Sequence, residues 1–194
     1  MGIMSEKRDV KIVAFVGMPG AGKSSAVDYI TEKGFPKVYF GGVLYAAMRE
    51  AGIEITPKSQ EVFRREIREK EGNDFVVKRI VQQINDLVNA GQHRIIADGL
   101  YSWSEYKVMK HAFPGQVHLV AVIAPRNLRY RRLENRTERP FTREESEQRD
   151  WREIEDLEKG GPIAIADHYV INDGNMEQLH DQVDRELRSV GFIK

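Results

Sequence analysis

Apolar positions along the chain follow two alternating patterns. Short runs rich in β-branched and aliphatic residues occur at residues 11–16, 37–40, 94–97, 117–123 and 169–171, each bounded by Gly, Pro, Asp or Asn, and predict strands. Between them lie longer segments in which apolar residues return every three or four positions. The clearest is 74–89, where Val77, Ile80, Val81, Ile84, Leu87 and Val88 share one helical face and Gly91 follows as a stop. Further helices are predicted over 23–32, 43–50, 59–70, 103–111, 127–135, 143–158 and 176–190. Strand–helix alternation of this kind predicts βαβ units: an α/β fold in three layers, with a five-stranded parallel sheet covered on both faces. A length of 194 residues suits one such domain spanning 1–194.

The segment Gly17-Met18-Pro19-Gly20-Ala21-Gly22-Lys23-Ser24 fits G-x-x-x-x-G-K-[ST] and stands between a predicted strand and a predicted helix, the setting that this phosphate-binding loop requires. Glycines let the backbone curl until successive N–H groups face phosphate oxygens, and the helix that starts near Lys23 adds its positive end. Lys23 is expected to reach the β and γ phosphates, and the Ser24 hydroxyl to ligate Mg²⁺. Gly17, Pro19, Gly20, Ala21, Gly22, Lys23, Ser24 and Ser25 are the expected nucleotide-binding residues. A carboxylate is needed at the end of a neighbouring strand to hold Mg²⁺ or its water, and Asp98 supplies one after residues 94–97. The fold class is thus that of a P-loop NTPase. Neither Asn-Lys-x-Asp nor Asp-x-x-Gly occurs, which argues against a guanine-specific signalling GTPase without fixing a preference for ATP; ATP or a related nucleoside triphosphate is the expected ligand.

Composition narrows the partners. Lys plus Arg and Asp plus Glu both total 30, so no overall charge points to nucleic acid or an anionic membrane. There is no cysteine, which removes disulfides, thiolate zinc sites and a cysteine nucleophile. The longest apolar run, residues 119–124, is far short of a bilayer span, and a cytoplasmic protein is expected. His93, His111, His118, His168 and His180 lack the spacing of metal ligands.

Charge is instead concentrated locally, with nine arginines in residues 126–152. Phosphoryl transfer depends on placement and on positive charge around the transition state, supplied by a segment that closes over both substrates. Arg132 and Arg136 lie on one helical face, and Arg139 precedes Pro140, which stops a helix. A short helical lid inserted at about 133–150 is expected, with Arg132, Arg136 and Arg139 as catalytic candidates and Arg149 behind them. The alternative is a solvated face whose arginines pair with Glu134, Glu138, Glu144, Glu145 and Glu147 at little gain.

Two further elements carry a family resemblance: Arg149-Asp150-x-Arg152-Glu153 and Ala166-Asp167-His168-Tyr169-Val170-Ile171-Asn172-Asp173-Gly174. Together with the loop and Asp98-Gly99, they make the chain resemble the dephospho-CoA kinase and nucleoside monophosphate kinase superfamily over nearly its whole length. Within it the chain is most similar to an uncharacterised, largely archaeal family of dephospho-CoA-kinase-like proteins. The resemblance implies Mg²⁺-dependent transfer of the ATP γ-phosphoryl group to a small, phosphorylated, nucleotide-like acceptor, either dephospho-CoA or a nucleoside monophosphate. It also implies an adenine site at about Asn172 to Gly174, although Asp173 would equally suit a helix N-cap.

The chain departs from this pattern on the acceptor side. Gly42 stands where such kinases carry an acceptor-orienting Asp, and Tyr101 stands where the archaeal relatives carry an Arg. Glu105 is a candidate substitute base, and Arg49, Arg64 and Arg65 are candidate ligands for an acceptor phosphate. Tyr39, Phe40, Tyr45, Phe63 and Trp103 would form a stacking pocket or simply core. Asp28 is expected to face solvent. The competing function is a regulatory nucleotide-binding NTPase that kept the loop and lost the acceptor site.

Overall fold

Five strands, β1 (Lys11–Val16), β2 (Lys37–Tyr39), β3 (Arg94–Asp98), β4 (Val117–Ile123) and β5 (His168–Ile171), form one parallel sheet in the order β2-β3-β1-β4-β5. The computed structural model describes residues 9–72, 74–100, 102–138 and 140–194, apart from the side chains of Pro57, Lys58, Glu61, Arg64 and Arg68. Around the sheet lie α1 (Lys23–Glu32), α2 (Phe40–Glu50), α3 (Pro57–Glu71), α4 (Phe75–Asn89), α5 (Trp103–Ala112), α6 (Arg126–Glu134), α7 (Arg143–Glu155), α8 (Gly160–Ala164) and α9 (Met176–Ser189). Among the described residues no helix is long and apolar enough to cross a membrane.

β1 is apolar on both sides because both sides are covered. Ile12, Ala14 and Val16 face a core built with α2, α4 and α5, which includes Met48, Ile80, Ile84 and Met109. Val13 and Phe15 face a second core built with α1 and α9, which includes Val27, Ile30, Leu179, Val183 and Leu187. The helix that follows β1 therefore packs on one face, and the helix that follows the adjacent β3 packs on the other. At such a switch point the chain diverges and leaves a crevice at the carboxyl ends of the two strands.

Beyond shifts of one or two residues at element ends, three differences from the sequence expectation have a clear physical cause. Phe40 belongs to α2 and not to the second strand. It is buried with Val43, Leu44 and Ala47, so the helical stripe starts at Phe40 and carries Gly41 and Gly42 inside the helix despite a cost of about 1 kcal/mol each. The N-cap of α9 is Asn175 and not Asp173. Asn175 accepts from the Gln178 N–H while the Gln178 side chain accepts from the Asn175 N–H, a reciprocal arrangement that Asp173 cannot make with Met176 three residues on. Lastly, α7 ends at Glu155, and α8 forms where Gly160-Gly161-Pro162 reads as a breaker. Pro162 lies in the first turn of α8, where a missing N–H costs nothing.

Three of the five histidines have defined surroundings. His180 stacks on Tyr29 with centroids 3.8 Å apart, and His168 Nδ1 contacts Glu186 at 2.7 Å. Burial pushes the His118 pKa down, Lys11, His168 and Lys110 push it the same way, and Asp167 opposes them. The fold thus favours neutral His118, and stability is lost as pH falls below the ordinary histidine value of about 6.5, where the unfolded chain takes up the proton. A His118→Gln variant is expected to flatten this acid-side loss, as read from urea midpoints between about pH 6.5 and 5.

Candidate active site

The chain leaves β1 at Val16, turns through Gly17 to Gly22, and enters α1 at Lys23. Gly20 (φ 77°) and Gly22 (φ 96°) hold left-handed backbone, which favours glycine. Gly22 is also the N-cap of α1 and offers no side-chain acceptor, and no acidic residue lies in the first turn. The positive end of α1 is left open toward the crevice, the arrangement that binds anions.

Packing gives the glycines a second reason. A Cβ on Gly17 would lie 2.5 Å from the Val122 carbonyl oxygen, and one on Gly20 would lie 2.6 Å from the Arg129 carbonyl oxygen. One on Gly22 would collide with the Asn172 side-chain amide. The loop is thus seated against the ends of β4 and β5 and the first turn of α6.

Asp98 is the last residue of β3, only 8% exposed, and pairs in register with Phe15 of β1 on one side and Tyr39 of β2 on the other. The Lys23 ammonium contacts its carboxylate directly, so the two residues expected to act together converge across the crevice. Ser24 follows Lys23 on the exposed side of α1. Among the described residues no cluster of three or more His, Asp or Glu could hold a metal unaided. The Ser24 hydroxyl and the Asp98 carboxylate are nevertheless hard oxygen donors of the kind that suits Mg²⁺, an ion that usually takes few protein ligands and fills its shell with phosphate and water.

Asn172 is buried beside the loop. Its N–H donates to the Ile123 carbonyl at 2.8 Å, and its Nδ2 donates to the Ala21 carbonyl at 2.8 Å. Its Oδ1 accepts from Arg132 Nη2 at 3.3 Å. Arg132 Nη1 is buried without a hydrogen-bond partner among the described residues. Arg132 and Asn172 are therefore brought to the loop, whereas Gly174 lies on the surface against the Gln178 side chain. Arg136 is exposed just beyond the C-cap Asn135. Arg139, Tyr101 and the Arg64 side chain lie outside the described residues. Arg49 and Arg65 are exposed, and Asp28 is exposed with Lys37 3.8 Å away. Glu105 accepts from the Ser102 N–H at 3.1 Å in the capping box of α5, which engages its carboxylate at the helix end. Phe40 and Phe63 are core, and Trp103 stacks on Tyr106 at 5.5 Å.

Sequence reasoning gave no role to Arg129, and it quoted Asp150 and Glu153 only as part of a family element; the three come together where α6 meets α7. Arg129 is 6% exposed. Its guanidinium forks onto Asp150, Nη1 to Oδ1 at 2.9 Å and Nη2 to Oδ2 at 2.5 Å, and Nη1 also donates to the Pro19 carbonyl at 2.9 Å. The Tyr130 hydroxyl donates to Asp150 Oδ2 at 3.1 Å, and burial, with the carboxylate beside it, raises the pKa of that phenol.

One turn on, Glu153 accepts from Arg149 Nε at 2.7 Å and contacts the buried Lys159. Burial pushes the Lys159 pKa down and Glu153 raises it; Arg149 and Lys23 push it further down. The acidic partners are thus Asp150 and Glu153, while Glu145 caps α7 from Thr142. The signal for Arg129 was Leu133: a helical position four residues before a core leucine also faces inward.

Three comparisons fit this geometry. A family model described as AAA domain matches residues 13–152. A UPF0200 protein of Thermococcus gammatolerans is 35% identical over 175 residues, covering 89% of this chain and 91% of that protein. The UPF0200 protein TK1334 of Thermococcus kodakarensis is 33% identical over 177 residues, covering 90% and 95%. Among solved structures, the shikimate kinase of Acinetobacter baumannii in complex with shikimate aligns with a TM-score of 0.55 at 18% identity, covering 93% of each chain. At that identity the likeness is one of fold, a P-loop kinase-like sheet with its helices.

Removing the Asn172 amide leaves the Ala21 carbonyl unpaired. Asn172→Ala is expected to destabilise the fold by about 1–3 kcal/mol in urea unfolding.

Proposed function

The chain belongs to the AAA domain family and to the archaeal UPF0200 proteins, and from that premise we propose that it transfers the γ-phosphoryl group of ATP to a small, phosphorylated, nucleotide-like acceptor. The observation that carries this reading is the convergence of three features at one switch point: the open N-terminus of α1, the Lys23 ammonium and the Asp98 carboxylate. In this reading the loop from Gly17 to Gly22, with Ser25 behind it, binds the triphosphate by its N–H groups, and Lys23 moves from Asp98 onto the β and γ oxygens. Ser24 and Asp98 hold Mg²⁺, which when bound neutralises charge on the transferring phosphoryl group. Arg132 keeps a guanidinium nitrogen in reserve beside Asn172, and Asn172 to Gly174 border the adenine side.

Residues 133–150 serve as a lid on a single domain spanning 1–194, with Arg136 and Arg139 closing over the phosphates. Dephospho-CoA and nucleoside monophosphates are the acceptors that the sequence resemblance supports. The kinase-like fold supports the reaction class, and the cytoplasm suits both substrates.

A second reading draws on the acceptor side. Gly41 and Gly42 lie inside α2 beneath the Tyr39 ring, so the chain presents no carboxylate there. A nucleotide-binding regulatory NTPase would need none.

Incubation with Mg-ATP and a panel including dephospho-CoA and each nucleoside monophosphate separates the two readings. Acceptor-dependent ADP is expected, whereas ADP release indifferent to every acceptor would favour the NTPase. Lys23→Ala is expected to keep the wild-type circular dichroism spectrum and lose at least about a hundredfold in turnover. Unchanged ATP affinity by calorimetry in that variant would overturn the role of the loop.

A further inference from the structure

α7 docks with its usual faces exchanged. A helix on a globular surface normally buries an apolar stripe, yet α7 buries Ser146, Asp150 and Glu153 and leaves Trp151 57% and Ile154 52% exposed. Its attachment is therefore electrostatic, and Arg129 is central to it. The two acceptors of this guanidinium belong to different parts of the molecule: Asp150 on α7 and the Pro19 carbonyl in the phosphate loop.

Peptide planarity gives the second contact its meaning. In a trans peptide the C=O and the following N–H point in opposite directions. When Arg129 draws the Pro19 carbonyl outward, it turns the Gly20 N–H inward. Asn172 does the same two peptides later, because it holds the Ala21 carbonyl and so turns the Gly22 N–H. Neither N–H has an acceptor among the described residues. Arg129 also braces the loop through its own backbone, since its carbonyl lies against Gly20. A lone guanidinium on a long side chain would hold a carbonyl loosely. The two-point fork to Asp150, reinforced by Tyr130, fixes its plane.

We propose that Arg129 and Asp150 are positioning residues that set the phosphate loop for nucleotide, so that ATP affinity depends on α7 being docked. The inference rests on the nucleotide-binding reading above and adds to it a coupling between lid and loop. By linkage, bound nucleotide would then hold α7 in place.

Two variants test it. Asp150→Asn removes the charge and keeps the shape. The triple variant Arg129→Met, Tyr130→Phe, Asp150→Leu replaces the whole buried polar set with apolar groups, a change that stability often tolerates. Each is measured for Mg-ATP affinity by calorimetry, for melting temperature, and for hydrogen–deuterium exchange of the peptide spanning the loop in nucleotide-free protein.

Both variants are expected to bind Mg-ATP about tenfold or more weakly, with faster exchange in the loop peptide and unchanged exchange in peptides from β1 and β3. A triple variant that folds and binds Mg-ATP as tightly as wild type, or wild-type exchange in the loop of Asp150→Asn, would overturn the proposal. Wild-type protein that binds no nucleoside triphosphate would overturn the proposed function along with it, whereas tight wild-type binding with unaffected variants would overturn this inference alone.

Discussion

A loop that binds phosphate by its N–H groups must turn its carbonyls the other way, and those carbonyls need partners outside the crevice. Much of this molecule is arranged around that requirement. Asn172 receives the Ala21 carbonyl into hydrogen-bond range from the end of β5, and Arg129 receives the Pro19 carbonyl from α6. The Val122 carbonyl backs Gly17 from β4. The ends of two strands and the first turn of α6 thus serve as a wall for six residues. The glycines answer two demands at once, since left-handed backbone and close approach coincide at Gly20 and Gly22.

Electrostatics shows the same economy. The chain is neutral overall, yet apart from Asp98 in the crevice the buried charges among the described residues gather around α6 and α7, where Arg129 meets Asp150 and Lys159 meets Glu153. Burying an ion pair brings a desolvation cost that mutual attraction offsets only with good geometry. Such pairs are therefore weak evidence for stability, and stronger evidence for a defined arrangement. Here the arrangement fixes where α7 rests relative to the loop, because Arg129 holds Asp150 and the Pro19 carbonyl together.

The fold was legible because its signals were periodic and redundant. The apolar runs marked β1, β3 and β4, the stripe through Val77, Ile80 and Ile84 marked α4, and the loop motif located the crevice. What escaped depended on which neighbour a residue would meet. Nothing local in Phe40-Gly41-Gly42 announces a helix start; burial of Phe40 with Leu44 and Ala47 decides it. Arginine content pointed to the segment after β4 but not to the residue. Arg136 is exposed, while Arg129, one of many by composition, is the one gripped by both loop and α7. A partner 21 positions away in sequence leaves no trace in local spacing.

The Tyr39 ring lies over Gly41 and Gly42, with its hydroxyl oxygen 2.6 Å from where a Cβ on Gly41 would sit and its Cδ1 3.0 Å from one on Gly42. A side chain on Gly41 would require that ring to move, and one on Gly42 would require it to give by a few tenths of an ångström. The three positions are therefore sterically coupled: a carboxylate placed at 42 would need the ring at 39 to shift or be replaced by a smaller residue. Side-chain chemistry at this edge of the crevice is thus set by the residue at 39 as much as by the glycines themselves.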